Sequence, residues 1–492
     1  GSSMKKNEIL EEILNEVDKH PEIMSRREAL KYLSVSPMAA SILAGATVGA
    51  STVSASSAKG KIVIVGGGLA GMSTAARLNN TLSNADITVI EPDPLSVSYQ
   101  PGQTLVGAGL WDVSDIQYNR DDNVPSGVKL IKGSVTAFDP DNNSVTVDGS
   151  QEVTYDQMII ATGLMLNYGA IKGLDGVITS SGKDNASVKQ TVGKNGVHSI
   201  YFAEGATATY KGIEELIAKA KAHKGPEKLQ AVFTHPNTPI KCGGAPKKIM
   251  YLTNARLEEA GVRDKVELTF YPNGGKMFGV EEYHEAILQQ YKDRGFKWHY
   301  AHNLVEMDTN AKIATFNHHW TEKGAWDEDL EEYGVELKSE LVKVPYDFIH
   351  ITPPMQAPDV VANSKVGSSK GWVPVTKETM RHVSYENVWC LGDVAAVPMG
   401  KTGGSVRKQY KVVVDNIVAS MEGKSLPSKY GGYTVCPLIT SIGTVMLAEF
   451  NWSKKPTPSF PLDPTKERWI WWLLKVYALK PMTIHGMLSG RA

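Results

Sequence analysis

The stretch from Lys61 to Glu91 constrains the fold more than any other part of the chain. Lys61-Ile62-Val63-Ile64-Val65 is a short β-branched run, and Gly66-Gly67-Gly68-Leu69-Ala70-Gly71 follows it directly. A helical segment, Met72 to Leu82, and a second strand, Ala85 to Ile90, come next, and the strand ends on Glu91, 20 positions after Gly71. Each part of this G-x-G-x-x-G unit has a physical task. Gly66 permits a tight turn, Gly68 lets backbone N–H groups approach a pyrophosphate at a helix N-terminus, and Gly71 allows close helix–strand contact. Glu91 can accept hydrogen bonds from ribose hydroxyls. The spacing therefore predicts a parallel α/β sheet that binds a dinucleotide.

Composition removes several alternatives. A chain of 492 residues has room for two or three domains with real cores. Its 52 Lys+Arg balance 53 Asp+Glu, so no field draws it to nucleic acid. Three cysteines cannot form a disulfide scaffold. At 42% apolar, the chain is neither disordered nor a polytopic membrane protein.

Two later segments refine the cofactor. Tyr155 to Ile160 reads as a strand running into Ala161-Thr162-Gly163, and Val388 to Leu391 as a strand running into Gly392-Asp393. Both resemble the second and third fingerprints of flavoproteins with two dinucleotide domains. That resemblance implies FAD, with Asp393 on the ribityl chain. Between them, Lys228–His235, Pro246–Gly261, Lys265–Tyr271 and Val280–Gly295 read as a second βαβα unit. Its first loop, His235 to Pro246, holds Pro236, Pro239 and Cys242 where spaced glycines would cradle a nicotinamide nucleotide, so none is expected there. The expected fold is α/β with two Rossmann-like domains, similar to glutathione reductase, and a C-terminal helical membrane-contact segment. FAD-binding segments at 59–165 and 340–425 would flank a second domain at 166–339, with the C-terminal region at 426–492.

Cys242 heads the predicted helix from Pro246, whose dipole favours thiolate. Cys436 lies in Tyr433-Thr434-Val435-Cys436-Pro437-Leu438. With the Cys242-Gly243-Gly244-Ala245-Pro246 loop, His350 to Pro358, Gly392-Asp393 through Pro398, Lys401-Thr402 and Gln409, these segments resemble the sulfide:quinone oxidoreductases from Lys61 to the C-terminus. Flavocytochrome c sulfide dehydrogenase is a close relative of that family. The resemblance implies that Cys242 and Cys436 bracket the flavin and hold a growing sulfur chain. It also implies that Lys401 stabilises the reduced flavin, and that sulfide becomes zero-valent sulfur or polysulfide while quinone takes the electrons. A cytochrome c acceptor and an NADH:quinone reductase are the alternative readings, and which cysteine sulfide attacks stays open. Cys390 sits in an apolar strand and reads as packing. No cysteine lies between Ala58 and Gly163, so FAD is not tethered there by a thioether. His235 reads as a hydrogen-bonded loop histidine before a proton relay, and His318-His319 lacks the neighbours a metal needs.

The two ends bear on address. Ser25-Arg26-Arg27 followed by a mild apolar stretch and Val53-Ser54-Ala55 resembles a twin-arginine export signal over residues 4–58. That implies a mature protein starting near Ser56, on the periplasmic face of the cytoplasmic membrane. Near the C-terminus, Trp469, Trp472, Leu473, Val476 and Leu479 share one helical face beside Arg468, Lys475 and Lys480. The run is too short to span a bilayer and is expected to lie on the membrane surface. Thr321 to Lys343 reads as a charged, solvated insertion, and the oligomeric state stays open, a homo-oligomer included.

Overall fold

The computed structural model describes residues 6–34, 55–93, 95–97, 100–179, 185–459, 462–478 and 486–491. Two helices, α1 (Lys6–Asp18) and α2 (Arg26–Ser34), precede the first strand, β1 (Ser56–Val65). The glycine turn then opens α3 (Leu69–Thr81), followed by β2 (Leu82–Ile90), β3 (Lys129–Ile131) and β4 (Gln157–Ile160). A second unit contains β5 (Val197–His198), α4 (Ala203–Ala222), β6 (Leu229–His235), α5 (Ala245–Glu259), β7 (Val266–Pro272), α6 (Glu281–Asp293) and β8 (Lys297–Trp298). Three antiparallel strands, β9 (His302–Asp308), β10 (Ile313–Asp327) and β11 (Glu332–Pro345), lead to β12 (Phe348–His350). The chain returns through β13 (Val388–Cys390) and α7 (Gly403–Met421) to β14 (Thr434–Ser441), β15 (Thr444–Phe450), β16 (Glu467–Arg468) and α8 (Trp469–Tyr477).

Two all-parallel sheets organise the molecule. The first has the order β13-β4-β1-β2-β3, with Val63 paired to Thr88 on one side and Met158 on the other. Ile62 to Val65 are buried, as expected where helices cover both faces of a parallel sheet. All three fingerprint strands, β1, β4 and β13, are neighbours here, so their C-terminal turns open on one edge. The second sheet runs β5-β12-β6-β7-β8. It extends past the expected boundary at residue 340, because β12 pairs with β5 and β6. The chain therefore recrosses to the first sheet only after His350.

Two further regions show more than the sequence did. Thr321 to Lys343 is exposed, as expected of a solvated insertion, and it is a hairpin arm: β10 and β11 pair from Ile313–Pro345 out to Asp327–Glu332, with one register shift between Lys323 and Trp326. The N-terminal segment is folded into the body as far as it is described. Ile9, Ile13, Leu14 and Val17, spaced at helical intervals on α1, are buried in the same core as α8. The His20 ring stands edge-on to Trp469 at 5.5 Å, and Arg26 donates to Asp18 at 2.8 Å. Amphipathic periodicity accounts for the packing of α1 and α2 around the Arg26-Arg27 pair; the apolar stretch and the expected cleavage site, Val53 and Ser54 included, lie outside the described residues.

Covering by α1 also changes the reading of α8. Trp469, Trp472 and Val476 are only half-exposed, and Leu479 and Lys480 lie outside the described residues. Lys475 is 1% exposed and points inward, not toward a headgroup layer. Among the described residues no helix is long and apolar enough to cross a membrane. An Ile13→Asp variant places a charge in a fully buried site and should release α1 from α8. Hydrogen exchange in residues 470–475 is expected to speed up while flavin absorbance is retained; unchanged exchange would refute the clasp.

Candidate functional site

The nucleotide-binding end is built by close backbone approaches that only glycine permits. Gly66 adopts φ +107°, and a Cβ there would sit 2.2 Å from the carbonyl oxygen of Ala161. At Gly71 a Cβ would meet the Gly66 carbonyl at 1.8 Å. Gly68 is different: as the N-cap of α3 it has nothing within 4 Å of its Cβ position and faces open space. The first two glycines lock α3 onto the sheet, and Gly68 leaves room for an anion above the helix N-terminus. Buried Glu91 accepts from the N–H groups of Gly67 at 3.2 Å and Asp93 at 3.0 Å. Arg120, which sequence reasoning missed, donates through Nε to the Asp93 carbonyl at 2.7 Å and lines the cavity beside Glu91. Nothing in its local sequence marks it, because a 3-10 turn far along the chain carries it there.

A cavity of about 720 Å³ extends from this cradle across the sheet edge. Gly68, Glu91, Ala161, Thr162, Gly163, Gly392, Asp393 and Lys401 line it, as do Cys242 and Cys436. Gly163 and Gly392 take φ +67° and +80°, which turns both strands away and clears the space. Gln409 accepts from the Gly392 N–H at 3.0 Å and fixes that turn. Burial pushes the Asp393 carboxyl above the usual range, and Lys241 and Lys401 oppose it. Lys401 donates to the carbonyls of Asp393 and Ala395 and stands 4.0 Å over the Trp372 ring. An open phosphate cradle, a ribose acceptor and a long cavity ending at a buried acid fit a bound FAD. These residues would hold its pyrophosphate, ribose and ribityl groups.

The cysteines converge from different units. Cys242 precedes α5 in the second unit, while Cys436 lies on β14; both are thiols. They meet because Gly244 lies against β14, where a Cβ would fall 2.6 Å from the Cys436 Sγ. Cys242 is held at φ +50°, a sparsely populated conformation for a residue with a side chain. Its N–H donates to the Lys401 carbonyl at 3.0 Å, so the cysteine loop is tied to the loop that carries Lys401. Tyr201 donates to the carbonyls of Lys241 and Cys242 from the opposite side. Residues 238–241 bond to the 355 region, Met355 N–H to Thr238 Oγ1 at 2.9 Å and Lys241 N–H to Met355 Sδ at 3.3 Å. Cys390 is fully buried, and burial drives its thiol far above the usual range, which matches packing.

Lysines surround the pair, and most were invisible from sequence. Burial raises the Cys242 thiol, while Lys248 and then Lys241 pull it back. Burial holds the Lys475 ammonium well below its ordinary value, repulsion from Lys248 adds to that, and the two cysteines oppose it. Lys475 donates to the Pro437 carbonyl at 3.2 Å, next to Cys436. Lys247, also buried, is lowered to about 8 by its burial. Lys248 lies in the first turn of α5, six residues after Cys242, which is not a same-face helical interval, so neither it nor Lys475 on α8 left a spacing signal. His235 ends β6, and burial lowers it to about 3, so it is neutral. An uncharged ring there is a poor proton relay near neutral pH.

Residues 60–196 match the model of the pyridine nucleotide-disulphide oxidoreductase family. Over most of its length the chain is similar to two relatives named mitochondrial sulfide:quinone oxidoreductase. The Dictyostelium discoideum protein is 37% identical, over 88% of this chain and 86% of its own. The Mus musculus protein is 35% identical, over 87% and 86%. In structure, the sulfide:quinone oxidoreductase of Aquifex aeolicus aligns with TM-score 0.63 and 20% identity, over 85% of this chain and 89% of that one. Neither the mitochondrial names nor the packed N-terminal helices support twin-arginine export to a periplasmic face.

Two outcomes test this geometry. Gly244→Ala should displace Cys436 and lower turnover by about tenfold or more while bound flavin is kept; normal turnover would show that the contact does not set the cysteine position. Because the reactive form is the thiolate and burial disfavours it, alkylation of Cys242 in a Cys436→Ser background should rise only as pH climbs past the ordinary thiol range. Lys248→Met should move that profile to still higher pH.

Proposed function

This chain belongs to the sulfide:quinone oxidoreductase family, as relatives at 37% and 35% identity over most of its length show, and from that premise we propose how its own residues carry the reaction. Sulfide is oxidised to zero-valent sulfur and quinone receives the electrons. The observation that carries the residue assignment is the convergence of Cys242 and Cys436 in one lysine-ringed cavity continuous with the dinucleotide cradle. With the pair oxidised, HS⁻ attacks the disulfide. One S–S bond breaks, a new S–S bond forms to the incoming sulfur, and the other cysteine leaves as a thiolate holding two electrons. FAD, when bound, accepts such a pair and delivers it to quinone.

The remaining work falls to the protein. Lys248, on the cavity wall, attracts the small anion and stabilises thiolate and perthiolate sulfur in a low-dielectric setting, while Lys475, pushed by burial toward its neutral amine, braces the Pro437 carbonyl beside Cys436. Lys401 supplies fixed positive charge at the far side of the Cys242 loop. Asp393, Glu91 and the N–H groups around Gly68 orient the cofactor, and residues 58–163 offer no cysteine that could tether it by a thioether. Phe450, Met399, Val435 and Phe278 give the cavity an apolar end suited to a quinone ring. Half-exposed Trp469 and Trp472 on α8 support a peripheral membrane contact from which a lipid-dissolved quinone is drawn.

Anaerobic titration is the direct test. Sulfide should bleach the flavin and NADH should not; bleaching by NADH alone would replace this reading with a nicotinamide-dependent one. Cys242→Ser and Cys436→Ser should each remove most sulfide turnover with FAD content unchanged, and survival of turnover in either would sink the pair mechanism. Lys248→Met should raise the KM for sulfide by about tenfold, the order of a lost short-range charge interaction.

A further inference from the structure

The hairpin arm leaves apolar groups where a soluble surface does not ordinarily keep them. On β11, Val335, Leu337 and Leu341 are 71%, 85% and 68% exposed, and Tyr333 is 50% exposed. Alternation puts all four on one face, because successive side chains of a strand point to opposite sides. Their cross-strand partners Lys323, Thr321 and Asn317 on β10 are polar and do not cover them. The arm is nonetheless well ordered to its tip: Trp326 packs edge-on against Tyr333 at 4.9 Å, Lys323 lies 3.5 Å over the same ring, and Asp327 accepts from the N–H groups of Asp329 and Leu330.

β11 is also an edge strand. In the sheet β9-β10-β11 its outer side has no neighbouring strand among the described residues. A long edge with exposed apolar side chains is a template for another strand, and folds that avoid pairing blunt such edges with lysine, proline or a bulge. Here Lys338 and Lys343 alternate with Glu336 and Glu340 so that both signs are offered along the edge, the one register shift lies toward the tip between Lys323 and Trp326, and Pro345 stands at the very end.

We propose that the arm pairs with a second copy of this chain, β11 against β11 in antiparallel register about a two-fold axis at Ser339. The charge pattern fits this occupant. With Ser339 on the axis, Lys338 of each copy lies opposite Glu340 of the other, and Leu337 opposite Leu341. Glu336 meets Val342 and Lys343 meets Val335, so no like charges stand directly opposite along the strand. Moving the axis to Lys338 would set Glu336 against Glu340. An anionic bilayer fits poorly, since residues 321–343 carry eight acidic groups against three lysines. The result is a four-stranded ribbon, β10-β11-β11-β10, well removed from the cysteines in sequence and independent of them chemically.

Sedimentation velocity of the FAD-loaded full chain, across low to high micromolar concentration, reads the proposal. A concentration-dependent dimer is expected. Ser339→Pro, which removes an edge N–H, and Lys338→Glu, which opposes two acids, should each weaken it by about tenfold or more. Adding Glu340→Lys to Lys338→Glu should restore it, because the pair is then reversed and still opposite. Flavin content and sulfide turnover of the variants confirm that the body is folded. A chain that stays monomeric, or a dimer untouched by these changes, would overturn the proposal. Failure of the double variant to restore association would overturn the register. Flotation of a monomeric chain with anionic vesicles, lost in Leu337→Lys, would assign the arm to membrane instead.

Discussion

The contact between Gly244 and the Cys436 sulfur is the constraint on which the site depends. Two cysteines 194 positions apart come from units that share no sheet. They share a cavity only because the turn into α5 carries no side chain where β14 passes. The same glycine lets the N-terminus of α5 bring Lys248 alongside, and the antiparallel pairing of β14 with β15 holds the opposite wall. The chemistry of the pair follows from this closeness. In an interior that disfavours isolated thiolate, the nearest compensating charges are lysines, and burial disfavours the ammonium form of Lys241, Lys247 and Lys475 in turn. Neither sign of charge is comfortable alone, which suits a site meant to admit a small anion.

Backbone demands made the first sheet legible in the sequence. Gly66, Gly71, Gly163 and Gly392 are required by turns or close approaches, and those requirements leave a spacing that survives without any knowledge of tertiary structure. The second sheet was legible for the weaker reason of alternating strand and helix patterns, which is why its end was misplaced: β12 is three residues long and carries no pattern of its own. Side chains supplied from far along the chain left no trace. Arg120 and Lys475 each belong to a segment whose local composition suits surface as well as interior. Lys475 in particular read as a headgroup ligand because its neighbours are tryptophans. Only the position of α8 against β15 and under α1 turns it inward.

Charge pattern at Thr321 to Lys343 pointed correctly to exposure but not to the hairpin or its apolar face. Acidic residues there dominate the composition, yet alternation separates them from Val335, Leu337 and Leu341, and composition is blind to which face a residue occupies. The two-residue period was present in the sequence throughout.

The clasp between α1 and α8 joins the first helix to the last, and so imposes an order in time. During synthesis α1 emerges more than 400 residues before its partner exists. At roughly 5–20 residues per second, that is a wait of roughly 20 to 90 seconds. Throughout it, the apolar face formed by Ile9, Ile13, Leu14 and Val17 has only α2 and the growing first sheet for cover. An acidic, amphipathic helix is thus displayed on the nascent chain with its apolar stripe waiting for a partner, and only the last stage of folding closes over it.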